Sequence, residues 1–167
     1  MMSFQTWAEG KLYGEFQFNA SVVSNEDLDF FPTFGTLSLG AYVFPNIGVE
    51  VFADTGFTAG TDDGFELDVE RAFGVALRFQ SPPVRGVQGY IALGAVNYTL
   101  NQDLENAALR VGPAANEDFN GFRVSVGLME RLSFLPSVLA TIEYRHYNAD
   151  EPLRVDAIAL GIRVNTP

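Results

Sequence analysis

Residues Lys11 to Val23 read KLYGEFQFNASVV, and their alternation decides the fold. Leu12, Gly14, Phe16, Phe18, Ala20 and Val22 fall on one phase; Tyr13, Glu15, Gln17, Asn19 and Ser21 fall on the other. A period of two places each set on its own face of a β-strand. The stretch is longer than an average globular strand and long enough for a tilted strand to cross a bilayer.

Seven further stretches repeat the pattern, at about Thr33–Phe44, Gly48–Phe57, Glu66–Phe79, Val87–Leu100, Phe119–Arg131, Val138–Tyr147 and Leu153–Val164. Leu37, Leu39, Ala41 and Val43 oppose Thr36, Ser38, Gly40 and Tyr42 in the second, and Ile158, Leu160, Ile162 and Val164 oppose Ala157, Ala159, Gly161 and Arg163 in the last. In the fourth, Arg71 interrupts the apolar phase, which places it at the headgroups or in solvent. The fifth is hard to phase, because Ile91, Leu93 and Ala95 compete with Val96 and Tyr98; a bulge there would reconcile them. Short Pro- or turn-rich links follow the second, fourth and sixth stretches (Pro45-Asn46, Ser81-Pro82-Pro83, Phe134–Ser137). Links after the first, third and fifth are longer and acidic, and 58–65 reads as an exposed loop.

An even number of long strands with one short-looped and one long-looped end predicts an all-β fold: an eight-stranded antiparallel up-and-down transmembrane β-barrel. At 167 residues the chain is read as a single barrel domain, with 1–10 as an N-terminal periplasmic segment. No run of eighteen apolar residues occurs, so a transmembrane helix is excluded. The expected function is structural or recognition through the outer loops, with an outer-membrane transporter for a small hydrophobic molecule as the main rival. A further alternative is a soluble lipocalin-like ligand-binding barrel with the apolar phase inside. Against it, the polar phase is rich in Gly, Ala and Ser, as a crowded narrow lumen requires. Aromatics also gather near strand ends (Trp7, Phe34, Phe44, Phe57, Phe79, Tyr98, Phe119, Tyr144), as expected of two interfacial girdles.

The inward phase carries Glu15, Glu50, Glu70 and Glu143 against Arg78, Arg123, Arg145 and Arg163. These eight form the expected lumen charge network, a salt-bridged plug. Nine of the ten cationic residues are Arg, which favours fixed, forked pairing over free solvation. The net charge of −11 argues against nucleic acid. Membrane lipid and lipopolysaccharide are the expected partners, with divalent cations possible at the acidic loops (Glu26, Asp27, Asp29; Asp62, Asp63; Asp103, Glu105, Glu117, Asp118; Asp150, Glu151). The chain has no Cys, no zinc spacing, no phosphate loop and no nucleophile elbow, so no cofactor and no enzymatic activity are expected.

The last third of the chain resembles a known group. Arg123 to Gly127, Leu132, and the runs Ala140–Tyr147 (ATIEYRHY) and Val155–Arg163 (VDAIALGIR) look like the final hairpins of OmpA-like and opacity-protein-like outer-membrane barrels. That resemblance implies the bacterial outer membrane. Residues Met1 to Gly10 lack a basic start and an apolar core, so the reading expects an export leader already removed. The ending Val164 to Pro167 departs from the family's usual terminal aromatic. Separately, Tyr144 to Ala149 (YRHYNA) faintly resembles the His-x-Ser-Asn segment of lipid A deacylases, but the Ser is missing and Asn148 directly follows Tyr147. Without an activated hydroxyl an acyl-enzyme route is closed, so His146, the sole histidine, is expected at a strand end in the interface.

Overall fold

The backbone N–H and C=O groups on both edges of each strand need partners, and the chain satisfies this by closing on itself. The computed structural model describes residues 12–25, 28–62, 65–104, 115–149 and 153–166. Its elements are β1 (Leu12–Asn25), β2 (Leu28–Phe30), β3 (Thr33–Phe44), β4 (Ile47–Thr58), β5 (Gly60–Asp62), β6 (Phe65–Gln80), β7 (Val87–Leu104), β8 (Ala115–Leu132), β9 (Leu135–Ala149) and β10 (Leu153–Asn165). Neighbouring long strands pair antiparallel in chain order, and β10 pairs β1 from Tyr13↔Asn165 to Asn25↔Leu153, which closes the ring. The result is an eight-stranded antiparallel barrel.

The two short strands correct the loop reading. β2 folds back on the end of β1, and β5 pairs Gly60–Asp62 with Phe65–Leu67, so part of the expected loop at 58–65 extends a hairpin. β7 and β8 are also longer than expected, since Asn101↔Asn116 and Gln102↔Ala115 continue their ladder beyond the bilayer-sized core.

The expected bulge exists, but on another strand. β7 pairs β8 without a register shift and keeps its phase through Asn97: Ala95 and Asn97 are exposed and Val96 is buried. The irregularity lies in β6, where Val69 pairs Leu100 and Arg71 pairs Thr99, leaving Glu70 as the extra residue. Arg71 is exposed on the outer wall. At the opposite end, Val84 and Val87 bridge across Arg85 (φ 52°) and Gly86 (φ 90°). A two-residue hairpin of primed type needs positive φ at both positions, and its twist matches that of the flanking strands.

The apolar phase faces out. Phe16, Phe18, Leu37, Leu39, Val51, Phe73, Val75, Leu93, Val126, Leu128, Ile142, Leu160 and Ile162 are all exposed, whereas Gln17, Asn19, Thr36, Ser38, Ser125 and Thr141 are buried. This inverts a soluble barrel and sets the lipocalin-like alternative aside. Ten residues separate outward polar Arg71 from Ser81, Asn120 from Glu130, and Asp156 from Thr166. At about 3.3 Å per residue and a tilt of about 40°, that is an apolar belt about 25 Å tall, the height of a membrane barrel's band.

The aromatic girdle needs one correction. Phe44, Phe57, Phe79 and Tyr144 are exposed as expected, and Phe18 stacks on Phe57 at 6.0 Å. Phe34 instead is fully buried, packed edge-on to Tyr147 with ring centroids 6.5 Å apart. Phe34 shares the inward phase of Thr36 and Ser38, so strand alternation alone places it in the lumen. Trp7 lies outside the described residues, as do the side chains of Tyr98 and Phe119.

Spin labels at Phe18, Val126 and Leu160 are expected to contact lipid, and labels at Gln17, Ser125 and Ala159 to be shielded from it. Leu160→Arg should destabilise the inserted barrel by about 2–4 kcal/mol, the penalty for a cation near the bilayer midplane. Equal accessibility of the two label sets to a lipid-borne relaxation agent would contradict the assigned faces.

Candidate functional site: the interior charge lattice

An eight-stranded ring is just wide enough for inward side chains to fill it. Inward charges from opposite walls must therefore meet one another or remain unsolvated. Of the eight network residues read from the sequence, seven have described side chains, and each of these is at most 2% exposed. Glu70, at the β6 bulge, has a side chain outside the described residues.

The lattice has two tiers. In the tier nearer the chain termini, Glu15 Oε2 accepts from Arg163 Nη2 at 2.5 Å, Arg163 Nε at 2.9 Å and Arg78 Nη2 at 3.2 Å. Glu50 Oε2 accepts from Arg78 Nε at 3.0 Å and from the Tyr13 hydroxyl at 3.0 Å, while Oε1 accepts from Arg123 Nη2 at 2.6 Å. Arg163 Nη1 also donates to the Tyr42 hydroxyl at 3.1 Å.

Glu143 links the tiers. Its Oε2 accepts from the Tyr90 hydroxyl at 2.6 Å and lies 3.8 Å from Arg78 Nη2, while Oε1 takes Arg145 Nε. In the second tier Arg145 donates to Gln17 Oε1 and to Thr36 Oγ1 (2.6 Å). Thr36 in turn donates to Asp54 Oδ1 at 2.6 Å, and the Tyr147 hydroxyl donates to Asp54 Oδ2 at 3.1 Å.

Asp54 is the acid that the sequence reading left out of the network. Its inward phase was legible, but only closure brings β4 opposite β9 and places it within the reach of Arg145 through Thr36. With it, four described arginines stand against four described carboxylates: Arg78, Arg123, Arg145 and Arg163 against Glu15, Glu50, Asp54 and Glu143. Removing these from ten cations and twenty-one acids leaves six against seventeen, so the whole net charge of −11 lies outside the lattice.

Glycines set the arginines' height. Tyr13, Phe52 and Tyr90 stand directly across the ladder from Gly40, Gly74 and Gly127. A β-carbon at Gly74 would come within 2.2 Å of Phe52 Cζ, and one at Gly40 within 2.1 Å of Tyr13 Cζ. Each ring therefore lies flat against the wall and offers its face to the lumen. Arg163 sits 3.9 Å over Tyr13, Arg123 3.8 Å over Phe52 and Arg78 3.9 Å over Tyr90. The guanidinium gains a cation–π contact in a desolvated site and keeps its edge for carboxylates. The sequence showed the inward glycines and rings separately, while only the register shows that they are partners.

His146 lies elsewhere. It is half-buried on the outer wall, where its Nδ1 is 2.8 Å from Asp156 Oδ1. Tyr147 faces the lumen, as alternation requires. Among the acidic loop residues only Asp29 has a described side chain, and it accepts from Ser24 Oγ at 2.7 Å. Among the described residues no group of three or more possible metal ligands gathers.

Neither a family model nor a curated protein sequence matches the chain. Solved structures do. Neisserial surface protein A aligns with a TM-score of 0.72 at 16% identity, covering 93% of this chain and 97% of that one. The fold is that of the eight-stranded outer-membrane barrels. Ail, the attachment invasion locus protein of Yersinia pestis, aligns with a TM-score of 0.67 at 15% identity over 95% of this chain and 99% of its own. The N-terminal β-barrel domain of Pseudomonas aeruginosa OprF aligns with a TM-score of 0.60 at 12% identity over 91% and 97%. The inward pairing of the outer-membrane-type barrel described above is thus built on a shared scaffold with largely different residues.

Arg145→Ala is expected to lower unfolding stability by about 3–5 kcal/mol, since it strands Glu143 without its nearest cation in a dry interior. Gly74→Leu should also destabilise, by about 1–3 kcal/mol, because Phe52 must leave the wall and displace Arg123. Urea unfolding in vesicles followed by tryptophan or gel-shift readout measures both. An Arg145→Ala barrel as stable as the parent would contradict the lattice.

Proposed function

We propose that this chain is a non-enzymatic outer-membrane barrel of a Gram-negative bacterium, closed along its axis, that acts structurally or in recognition through its acidic outer loops. The observation that carries the reading is the neutral lattice of four arginines and four carboxylates across the lumen. A conduit for a hydrophobic molecule would need an apolar lining, whereas here the inner wall is charged and hydrogen-bonded from Glu15 to Asp54. The barrel supplies a rigid support, and recognition falls to the loops by exclusion.

The sign of the exterior narrows the partner. Ail has been solved in complex with the heparin analogue sucrose octasulfate, a polyanion. The residues outside the lattice sum to −11, so the loops suit a cationic protein surface rather than a polyanion. A lipid-hydrolase role is disfavoured because His146 hydrogen-bonds Asp156 and no Ser or Thr hydroxyl among the described residues hydrogen-bonds its ring.

In planar bilayers the unmodified protein is expected to show little or no steady ion current, and Arg145→Ala to show unstable openings. A large, steady conductance of the unmodified protein would overturn the closed-lumen reading.

A further inference from the structure

Asp156 stands on the outer wall of β10, at the upper edge of the apolar belt, and three side chains converge on it. The Tyr144 hydroxyl donates to Oδ1 at 2.6 Å, His146 Nδ1 lies 2.8 Å from the same oxygen, and Arg154 Nε donates to Oδ2 at 2.7 Å. Both carboxylate oxygens are thus occupied. Since a carboxylate only accepts, His146 Nδ1 carries the proton and its Nε2 points away from the pair. Arg154 spends Nε on Asp156, which fixes its charge in place, and its side chain is 61% exposed.

Directly below this cluster the wall is dented. A groove of about 310 Å³ lies at Gly127, lined by Val126, Leu128, Ile142, Ile158 and the ring of Tyr144. Tyr144 belongs to both features: its ring walls the groove and its hydroxyl holds Asp156. A cation above an apolar slot, joined by one amphipathic residue at the edge of the belt, has the polarity profile of a single phosphorylated lipid.

We propose that the outer wall of β8–β10 binds one phosphorylated lipid A molecule, its phosphate on Arg154, which Asp156 and His146 hold in place, and an acyl chain in the groove beneath Tyr144. Charge selects the phosphate. On the upper rim, exposed cations are scarce: Arg71 and Arg154 are the outward arginines of the described strands there, set against a strongly acidic exterior. A second groove of about 300 Å³, lined by Leu37, Leu39, Val51, Ala53 and Phe73, lies below Arg71, where no comparable bonded cluster is described. The β8–β10 site is therefore the built one. Position selects lipid A, because this rim is opposite the end that holds both chain termini and the short turns, which is the outer leaflet if the chain sits in the outer membrane as proposed.

The test uses the full chain reconstituted in nanodiscs that contain a small fraction of bisphosphorylated lipid A, with retained lipid counted by native mass spectrometry. Membrane insertion is scored first and independently, by protection from protease in vesicles. The unmodified protein is expected to retain one lipid A, and Arg154→Gln to retain it about tenfold less tightly, equivalent to about 1.4 kcal/mol. Val126→Trp, which fills the groove beside the Tyr144 ring, should also weaken retention. Each variant is checked for a heat-modifiable gel shift, so that loss of fold is not mistaken for loss of binding. Unchanged retention in folded Arg154→Gln would overturn the site. Equal retention of phosphatidylglycerol, or of lipid A stripped of its phosphates, would overturn the assigned ligand. Failure to insert would instead sink the outer-membrane reading on which this inference rests.

Discussion

A ring of eight strands encloses too little space for water to solvate several charges. Every charge placed inside must therefore be met by another side chain, and the rest of this structure follows from that requirement. Desolvation of an isolated guanidinium or carboxylate is worth several kcal/mol against folding even after relaxation. The chain answers with four arginines and four acids held within hydrogen-bonding range, many of them through shared atoms. Glu15, Glu50 and Glu143 each serve more than one donor, so no pair stands alone.

The lattice in turn dictates where small residues must lie. Long arginines cannot cross a narrow lumen if bulky neighbours project at the same level. Glycine opposite Tyr13, Phe52 and Tyr90 lets each ring collapse onto the wall and become a platform. Ring, guanidinium and carboxylate then stack inward in that order, so packing and electrostatics are satisfied by the same residues. This explains why the inner phase mixes Gly and Ala with its longest polar side chains, a composition that would be unstable in a soluble core.

Outside, the logic reverses. The wall is apolar between two polar edges, and polar residues reappear on it only where the belt ends, at Arg71, Asn97, Asn120, His146 and Asp156. Asn97 and Asn120 hydrogen-bond each other at 3.0 Å on this edge, as His146 and Asp156 do further round the ring. Polar groups at the edge of the belt pair laterally along the wall.

The sequence by itself determined strand identity, the two faces and the membrane character, because a strand's period of two writes burial directly into residue order. Phe16, Phe18, Leu37 and Leu160 announced the lipid side, and Glu15, Arg145 and Arg163 the lumen, before any pairing was known. What it could not fix were properties of register and closure. Placing the bulge in β7 rather than at Glu70 of β6 failed because a phase slip is visible in one strand only when its partner is known. Phe34 reads as a girdle residue from its place at a strand end, although it lies on the inward phase of Thr36 and Ser38 and packs against Tyr147. Asp54 and Arg145 are 91 residues apart by number, and His146 and Asp156 meet only because β9 and β10 pair in one register. Tertiary structure alone decided which charges meet, since the distance between residues on different strands depends on ring size and stagger, and neither is encoded in any single stretch of chain.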